Sequence, residues 1–150
     1  MAAASNAAVT RSRRALLKTV AGAAVGVGYG GSFAASKRGR VVVRHVSGRL
    51  VDDGAIRTAD IYHEELNRGG TTDRRVRDEY RGRIDGGAVP TDLHRELSDR
   101  FTAVRYYLGH DCQACSTPAV SRREFNGVTL DESVRLLYHG DGATVVPVPP

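Results

Sequence analysis

The sequence has 150 residues, which is room for one domain, and its formal net charge of +5 would suit a negatively charged partner. Four of the basic residues lie in the first 35 positions, however, where no acidic residue occurs. The rest of the chain carries 18 Lys and Arg against 17 Asp and Glu. This balance argues against a nucleic-acid-binding protein, which needs a basic surface.

The N-terminal segment has the three-part organisation of an export signal. Residues 12–18 read Ser-Arg-Arg-Ala-Leu-Leu-Lys, with the arginine pair at Arg13 and Arg14. Residues 19–36 are uncharged and rich in Ala, Gly and Val, and small residues around Phe33 provide a cleavage site before Ala35 or, alternatively, before Ser36. The segment resembles a twin-arginine signal peptide, in which Ser/Thr-Arg-Arg precedes a variable residue and an apolar pair.

This resemblance implies a leader over residues 1–35 and a mature domain over residues 36–150. It makes the twin-arginine translocase a partner during export, recognising Arg13 and Arg14, and places the protein in the periplasm, at the cell surface or outside the cell. The membrane would be met only in transit. An uncleaved anchor is the alternative, although 18 residues with five Gly are short for a bilayer span.

The first half of the mature part predicts a strand followed by two helices. Val41–Val46 is β-branched and reads as a strand, with a turn signal at Ser47–Gly48 and a return over Arg49–Val51. Thr58 is a capping residue for a helix that would run to Asn67. A second helix would start at Thr72, with an apolar stripe formed by Val76, Tyr80 and Ile84.

The clearest predicted element is an amphipathic helix after Pro90. Thr91 is a suitable N-cap, and Gly109 would end the helix. Its apolar stripe consists of Leu93, Leu97, Phe101, Val104 and Leu108. The following residues, 110–121, are small and polar and predict a loop.

The C-terminal part has two competing interpretations. Phe125–Val128 predicts a short strand, and the capping-box spacing of Thr129 and Glu132 favours a helix over Leu130–Tyr138. In the alternative, Val134–Tyr138 and Ala143–Val148 form a hairpin around Gly-Asp-Gly, with the last strand near a sheet edge because of its proline. Together the elements predict a small single α+β domain, with a short sheet packed with two to four helices.

The cysteine motif His110-Asp111-Cys112-Gln113-Ala114-Cys115 carries the main chemical signal. Cysteines at this spacing can form a local disulfide, act as a redox dithiol or bind a soft metal. A c-type haem is excluded because Ser116, and not His, follows the second cysteine. For an exported protein the structural disulfide is the favoured interpretation.

A zinc site is one of the two alternatives to a structural disulfide. His110, Cys112 and Cys115 are the candidate ligands, and His94 or His139 could supply a fourth. The mature part contains no methionine, which excludes metal sites with a Met ligand. No cofactor follows directly from the sequence, and zinc is the one that this motif would accommodate.

A redox dithiol formed by Cys112 and Cys115 is the other alternative. The pair resembles that of thioredoxin-like proteins, which place a proline against the dithiol from a later strand. Here Pro147 would be that proline, but the chain ends too soon after it for the strands that such domains add.

No catalytic motif is present outside the cysteine pair. The sequence has no nucleophile elbow, zinc-protease helix, phosphate-binding loop or dinucleotide fingerprint. We therefore expect an exported binding or structural domain rather than an enzyme. The alternative is a small zinc-binding or thiol–disulfide redox protein that uses Cys112 and Cys115.

Overall fold

One long strand organises the computed structural model, which describes residues 36–112, 115–146 and 148. The elements are β1 (Ser36–Asp52), β2 (Ala55–Leu66), β3 (Thr72–Val76), α1 (Thr91–Arg100), β4 (Ala103–His110), β5 (Ala119–Val120), α2 (Arg122–Asn126), β6 (Ser133–His139) and β7 (Gly142–Val146). The predicted leader with Arg13 and Arg14 lies outside the described residues, as does Pro147.

β1 contains the strand predicted at Val41–Val46 but continues well beyond it. Ser47 and Gly48, predicted as a turn, lie inside β1, where the register with β2 shifts at a bulge. A Cβ atom at Gly48 would lie only 2.5 Å from the ring of Phe101. Glycine is therefore needed at this position for close packing and not for chain reversal.

The helix predicted from Thr58 to Asn67 is wrong, because these residues belong to the strand β2 and the turn after it. The chain reverses at Asp53 and Gly54, which have φ angles of 50° and 76°, and β2 then pairs antiparallel with β1. Glu64 is a charged residue at an interior position of β2. It interrupts the apolar two-residue period by which a strand is recognised.

The helix predicted from Thr72 is also wrong. Its first residues form β3, which pairs with β2 at the open edge of the sheet. Short 3-10 turns follow at Asp78–Tyr80 and Asp85–Gly87. Tyr80 and Ile84 of the predicted stripe are nevertheless buried, because this irregular segment also packs its apolar residues inwards.

The helix predicted after Pro90 is confirmed over its first ten residues as α1, with Leu93 and Leu97 fully buried. It ends at Arg100, and the C-terminal part of the predicted stripe belongs to β4. Val104 and Leu108 are four residues apart, a spacing that fits a helix face and also alternate positions along a strand. Buried Tyr106 between them shows that the strand period is the real one.

The C-terminal part follows the hairpin alternative. β6 and β7 pair antiparallel, so the helix predicted over Leu130–Tyr138 is wrong. The Thr129 amide does donate to the Glu132 carboxylate at 2.9 Å, but this contact closes a turn before a strand. The strand predicted over Phe125–Val128 is wrong as well, because α2 begins at a capping box formed by Ser121 and Glu124.

The strands close into a five-stranded barrel. Its order is β1-β4-β5-β7-β6, and β6 pairs again with the first residues of β1. β2 and β3 extend the sheet from the second half of β1, and the short β5 pairs in parallel with β7. The predicted α+β class is therefore wrong, because the described part of the chain is mostly sheet and contains this barrel. The hydrophobic core combines residues of the barrel strands with others from β2, α1 and α2. Long-range pairing along β1 builds this arrangement, and local sequence patterns do not report such pairing.

A buried ion pair lies within the apolar core. Arg44 on β1 donates from Nη1 to the Glu64 carboxylate at 3.1 Å, and from Nη2 to the carbonyls of Gly87 and Phe125. Burial by itself would raise the pKa of Glu64, but hydrogen bonds from Arg74 and Arg44 outweigh it and lower that pKa. Arg44 thus connects β1 with three other segments of the chain, which contain Glu64, Gly87 and Phe125.

Candidate functional site

The loop after β4 carries the cysteine motif. Cys112 and Cys115 form a disulfide, with Cα atoms 5.4 Å apart, and both residues are half-buried. The predicted disulfide is confirmed. It lies between the end of β4 and the start of β5, so it restrains the segment that leads into the shortest strand of the barrel.

His110 is the last residue of β4 and is 6% exposed. Tyr106, Leu108 and His110 alternate along β4, and this period explains why the imidazole is buried. Its Nε2 atom lies 3.0 Å from the hydroxyl of Tyr138 on β6. Its Nδ1 atom has no hydrogen-bond partner within the described part of the chain.

The three predicted metal ligands come together. One ring nitrogen of His110 and the sulfur atoms of Cys112 and Cys115 all lie within 4.8 Å of one another. In residues 36–112, 115–146 and 148, no other group of three or more His, Cys, Asp or Glu side chains gathers its ligand atoms in this way. Two thiolates and one imidazole form a ligand set that suits zinc.

The two histidines considered for a fourth ligand do not join this group. The Nδ1 atom of His94 lies 2.8 Å from the Tyr106 hydroxyl, and the Nε2 atom of His139 lies 3.0 Å from the Thr144 hydroxyl. Neither belongs to the cluster. The prediction of a fourth ligand from His94 or His139 is therefore wrong for this structure.

Burial controls the protonation of the site. It is the main cause that lowers the pKa of His110, while the neighbouring Asp111 carboxylate acts in the opposite direction. The imidazole is therefore neutral at pH 7 and keeps a lone pair on one ring nitrogen. Burial also raises the pKa of Tyr138, so its hydroxyl retains its proton.

Two residues of the site, Gly39 and Tyr138, do not stand out in the sequence. A Cβ atom at Gly39 would lie 2.6 Å from the Nδ1 atom of His110, so a glycine is needed here for the imidazole to pack this closely. Tyr138 reaches His110 because β6 closes the barrel against β1. The two-residue alternation of Val134, Leu136 and Tyr138 was the available signal, since it places all three on one strand face.

A cleft of about 480 Å³ lies beside the cysteine loop and has Arg40, Arg68, Asp111 and Asp131 among its lining residues. Arg40 donates to Asp111 at 3.2 Å and to Asp131 at 3.0 Å. Because two carboxylates already pair with this guanidinium, Arg40 offers little attraction to an anionic ligand.

A second cluster of rings lies on the exposed side of the sheet. His45 on β1 faces His63 on β2 with ring centroids 5.6 Å apart, and Tyr107 on β4 stacks on His45. His63 falls within the helix predicted from Thr58 to Asn67 and instead lies on this sheet face. Each histidine is next to one carboxylate, Asp60 or Glu65, but these ligand atoms do not gather as those of the cysteine cluster do.

Comparisons with protein-family models, with curated proteins and with solved structures gave no significant match. No helix in the described residues has the length and apolar character that crossing a bilayer requires.

Proposed function

We propose that the protein is an exported, non-enzymatic binding domain whose ligand is a zinc ion, bound by His110 and by the thiolates of Cys112 and Cys115. One observation carries the proposal: three ligand atoms lie within 4.8 Å of one another, and the histidine among them is buried with an unpartnered Nδ1. An unpartnered buried nitrogen is rare in folded proteins, and a metal would provide the missing partner.

The charge of such a centre fits its surroundings. Two thiolates balance the two positive charges of Zn²⁺, and the neutral imidazole of His110 adds none. A centre without net charge can be half-buried, as Cys112 and Cys115 are, without the cost of burying an unpaired ion. Three protein ligands leave one of the four tetrahedral positions for water or another donor.

Zinc and the disulfide exclude each other in this site. Sulfur atoms joined in a disulfide are not thiolates, so zinc requires prior reduction, in which two electrons and two protons convert the bond into two thiols. Zinc then displaces those protons. The cytosol keeps cysteines in the thiol state, and the twin-arginine pathway exports proteins that have already folded. The signal segment therefore supports loading of zinc before export.

The test is zinc binding by the full-length chain in both redox states. We expect about one zinc per reduced chain by elemental analysis and competition with a chromophoric chelator, and none when the disulfide is intact. His110→Ala and Cys112→Ser should each lose the reduced-state binding, because each removes a ligand. His94→Ala is the matched control and should bind as the wild type does.

The outcomes separate the three interpretations of the cysteine pair. Reduced wild-type protein that binds no zinc would refute the proposal. The redox dithiol would be favoured instead if a glutathione-strength buffer reduced the disulfide rapidly, and the structural disulfide if the bond resisted that buffer.

Export is tested separately at the arginine pair. Replacing Arg13 and Arg14 together by Lys should leave the protein in the cytosol with its leader attached, as detected by fractionation and intact mass. Replacing Lys18 by Arg is the control and should allow export. Normal export of the double variant would contradict the twin-arginine assignment without affecting the zinc test.

A further inference from the structure

The hydroxyl of Tyr138 lies between two groups that compete for its single proton. It is 3.0 Å from the Nε2 atom of His110 and 3.4 Å from the carbonyl oxygen of Ser116. A carbonyl can only accept a hydrogen bond, whereas a neutral imidazole nitrogen either donates or accepts according to its tautomer. The position of the imidazole proton therefore decides how all three groups are satisfied.

The two tautomers of His110 differ in what they leave unpaired. With the proton on Nδ1, a buried N–H group would have no acceptor among the described residues, and Tyr138 would donate to Nε2 instead of to Ser116. With the proton on Nε2, His110 donates to the phenol oxygen and the phenol donates to the Ser116 carbonyl. Buried donors without a partner are rarer than buried acceptors without one, so the second arrangement is favoured.

We infer that Tyr138 is a positioning residue that holds His110 in the tautomer with the proton on Nε2 and thereby presents a bare Nδ1 as the metal-binding atom. The imidazole packs closely on Gly39, because a Cβ atom at that position would lie 2.6 Å from Nδ1 and would displace the ring. The tautomer follows from the hydrogen bonds alone, whereas the role of Nδ1 toward zinc rests on the proposed function.

The tautomer can be read directly from the full-length protein with its disulfide intact. In a proton–nitrogen correlation spectrum of protein labelled with nitrogen-15 histidine, the protonated and bare ring nitrogens have distinct shifts. We expect the protonated shift at Nε2 of His110. Tyr138→Phe removes the acceptor and should shift the population toward the other tautomer. Tyr106→Phe is the matched control: it should change the signals of His94, its hydrogen-bond partner, and leave those of His110 in place.

Two spectral results would overturn the inference. One is a proton on Nδ1 in the wild type, and the other is a His110 tautomer that Tyr138→Phe does not change. Neither result depends on zinc, so both can be obtained even if the proposed function fails.

The metal arm uses the reduced protein. Zinc should shift the Nδ1 resonance of His110, and Tyr138→Phe should weaken zinc binding about 10-fold or more, as is usual when the partner that orients a ligating histidine is lost. Gly39→Ala should weaken binding too, because its Cβ atom would lie 2.6 Å from Nδ1 and must displace the imidazole. Zinc coordination at Nε2 would contradict the assignment of Nδ1, while absence of zinc binding in the wild type would refute only the proposed function.

Discussion

Two sides of the barrel are held together in different ways. On one side β1 pairs with β4 from Val41 to Arg49, and it also pairs from Val43 to Asp52 with β2, which extends the sheet beyond the barrel. On the other side β4 and β5 share two residue pairs, and β5 and β7 share one, between Ala119 and Gly142. We call the second side the β5 seam.

Side chains support the β5 seam where backbone pairing is short. The disulfide restrains the segment before β5, Arg105 on β4 pairs with Asp141 beside β7 at 2.9 Å, and the Glu124 carboxylate accepts from the Val145 amide of β7 at 2.9 Å. On the long side the equivalent anchor is Arg44, which is buried where β1 pairs with both β2 and β4. The barrel is therefore held by specific side-chain bonds at the seam and mainly by backbone pairing elsewhere.

The largest effect is expected at Arg44. Arg44→Met leaves Glu64 with one fewer partner and two buried carbonyls without their donor, so the free energy of unfolding should fall by about 3–5 kcal/mol in chemical denaturation. Arg49→Met is the control on the same strand, where the side chain is exposed, and should change stability by less than about 0.5 kcal/mol. Similar losses in both variants would mean that Arg44 does not anchor the long side.

A smaller loss of stability is expected when a methyl group is added at the β5 seam. A Cβ atom at Gly142 would lie 2.9 Å from the Ala119 carbonyl oxygen, so Gly142→Ala must displace the pairing of β5 with β7. We expect a loss of about 1–3 kcal/mol. Gly69→Ala is the control, because an added Cβ there meets nothing within 4 Å. Unchanged stability of Gly142→Ala would show that the single residue pair is dispensable.

Removal of the disulfide should cost less and act locally. The double variant Cys112→Ser, Cys115→Ser should lose about 2 kcal/mol or less, since the closed loop is short. In hydrogen exchange under native conditions, the Ala119 amide of the seam should exchange faster while amides of the β1–β2 pairing keep their protection. Uniformly faster exchange would indicate that the disulfide stabilises the whole barrel and not the seam.

The smallest effect is a change in the acid dependence of stability. The folded-state pKa of Glu64 lies below the ordinary value of 4.5, so its stabilisation is present above that pH and is lost as the pH falls through the folded pKa. Each pKa unit by which folding lowers the pKa corresponds to about 1.4 kcal/mol in the free energy of unfolding. When the free energy of unfolding is measured by chemical denaturation from pH 7 to pH 3, it should therefore fall less steeply below pH 4.5 in Glu64→Gln than in the wild type. Parallel profiles would contradict the ionised Arg44–Glu64 pair.

Local patterns succeeded where neighbours in sequence decide the structure. The β-branched run Val41–Val46 is a strand, and a helix follows Pro90 as predicted, although its N-cap is Pro90 and not Thr91. The motif His110, Cys112, Cys115 was identified because three side chains close in sequence are also close in space. These features needed only propensity, capping and spacing.

The wrong predictions have one physical cause: the residues that pair with or pack on these positions are distant in the sequence. Glu64 can occupy an interior strand position only because Arg44 lies opposite it, and without that partner the segment around Glu64 looks like a solvated helix. Gly48 was read as a turn because Phe101, which packs on it, is more than fifty residues away.

The sequence by itself determined the cysteine pair, the buried helix face of Leu93 and Leu97, and the two alternatives for the C-terminal segment, between which the structure decided. Only the tertiary structure decided that the strands close into a barrel and that Tyr138 and Gly39 meet His110. The reason is that hydrogen-bonding partners across a sheet are set by register between distant strands, and a one-residue change in register moves every side chain to the opposite face.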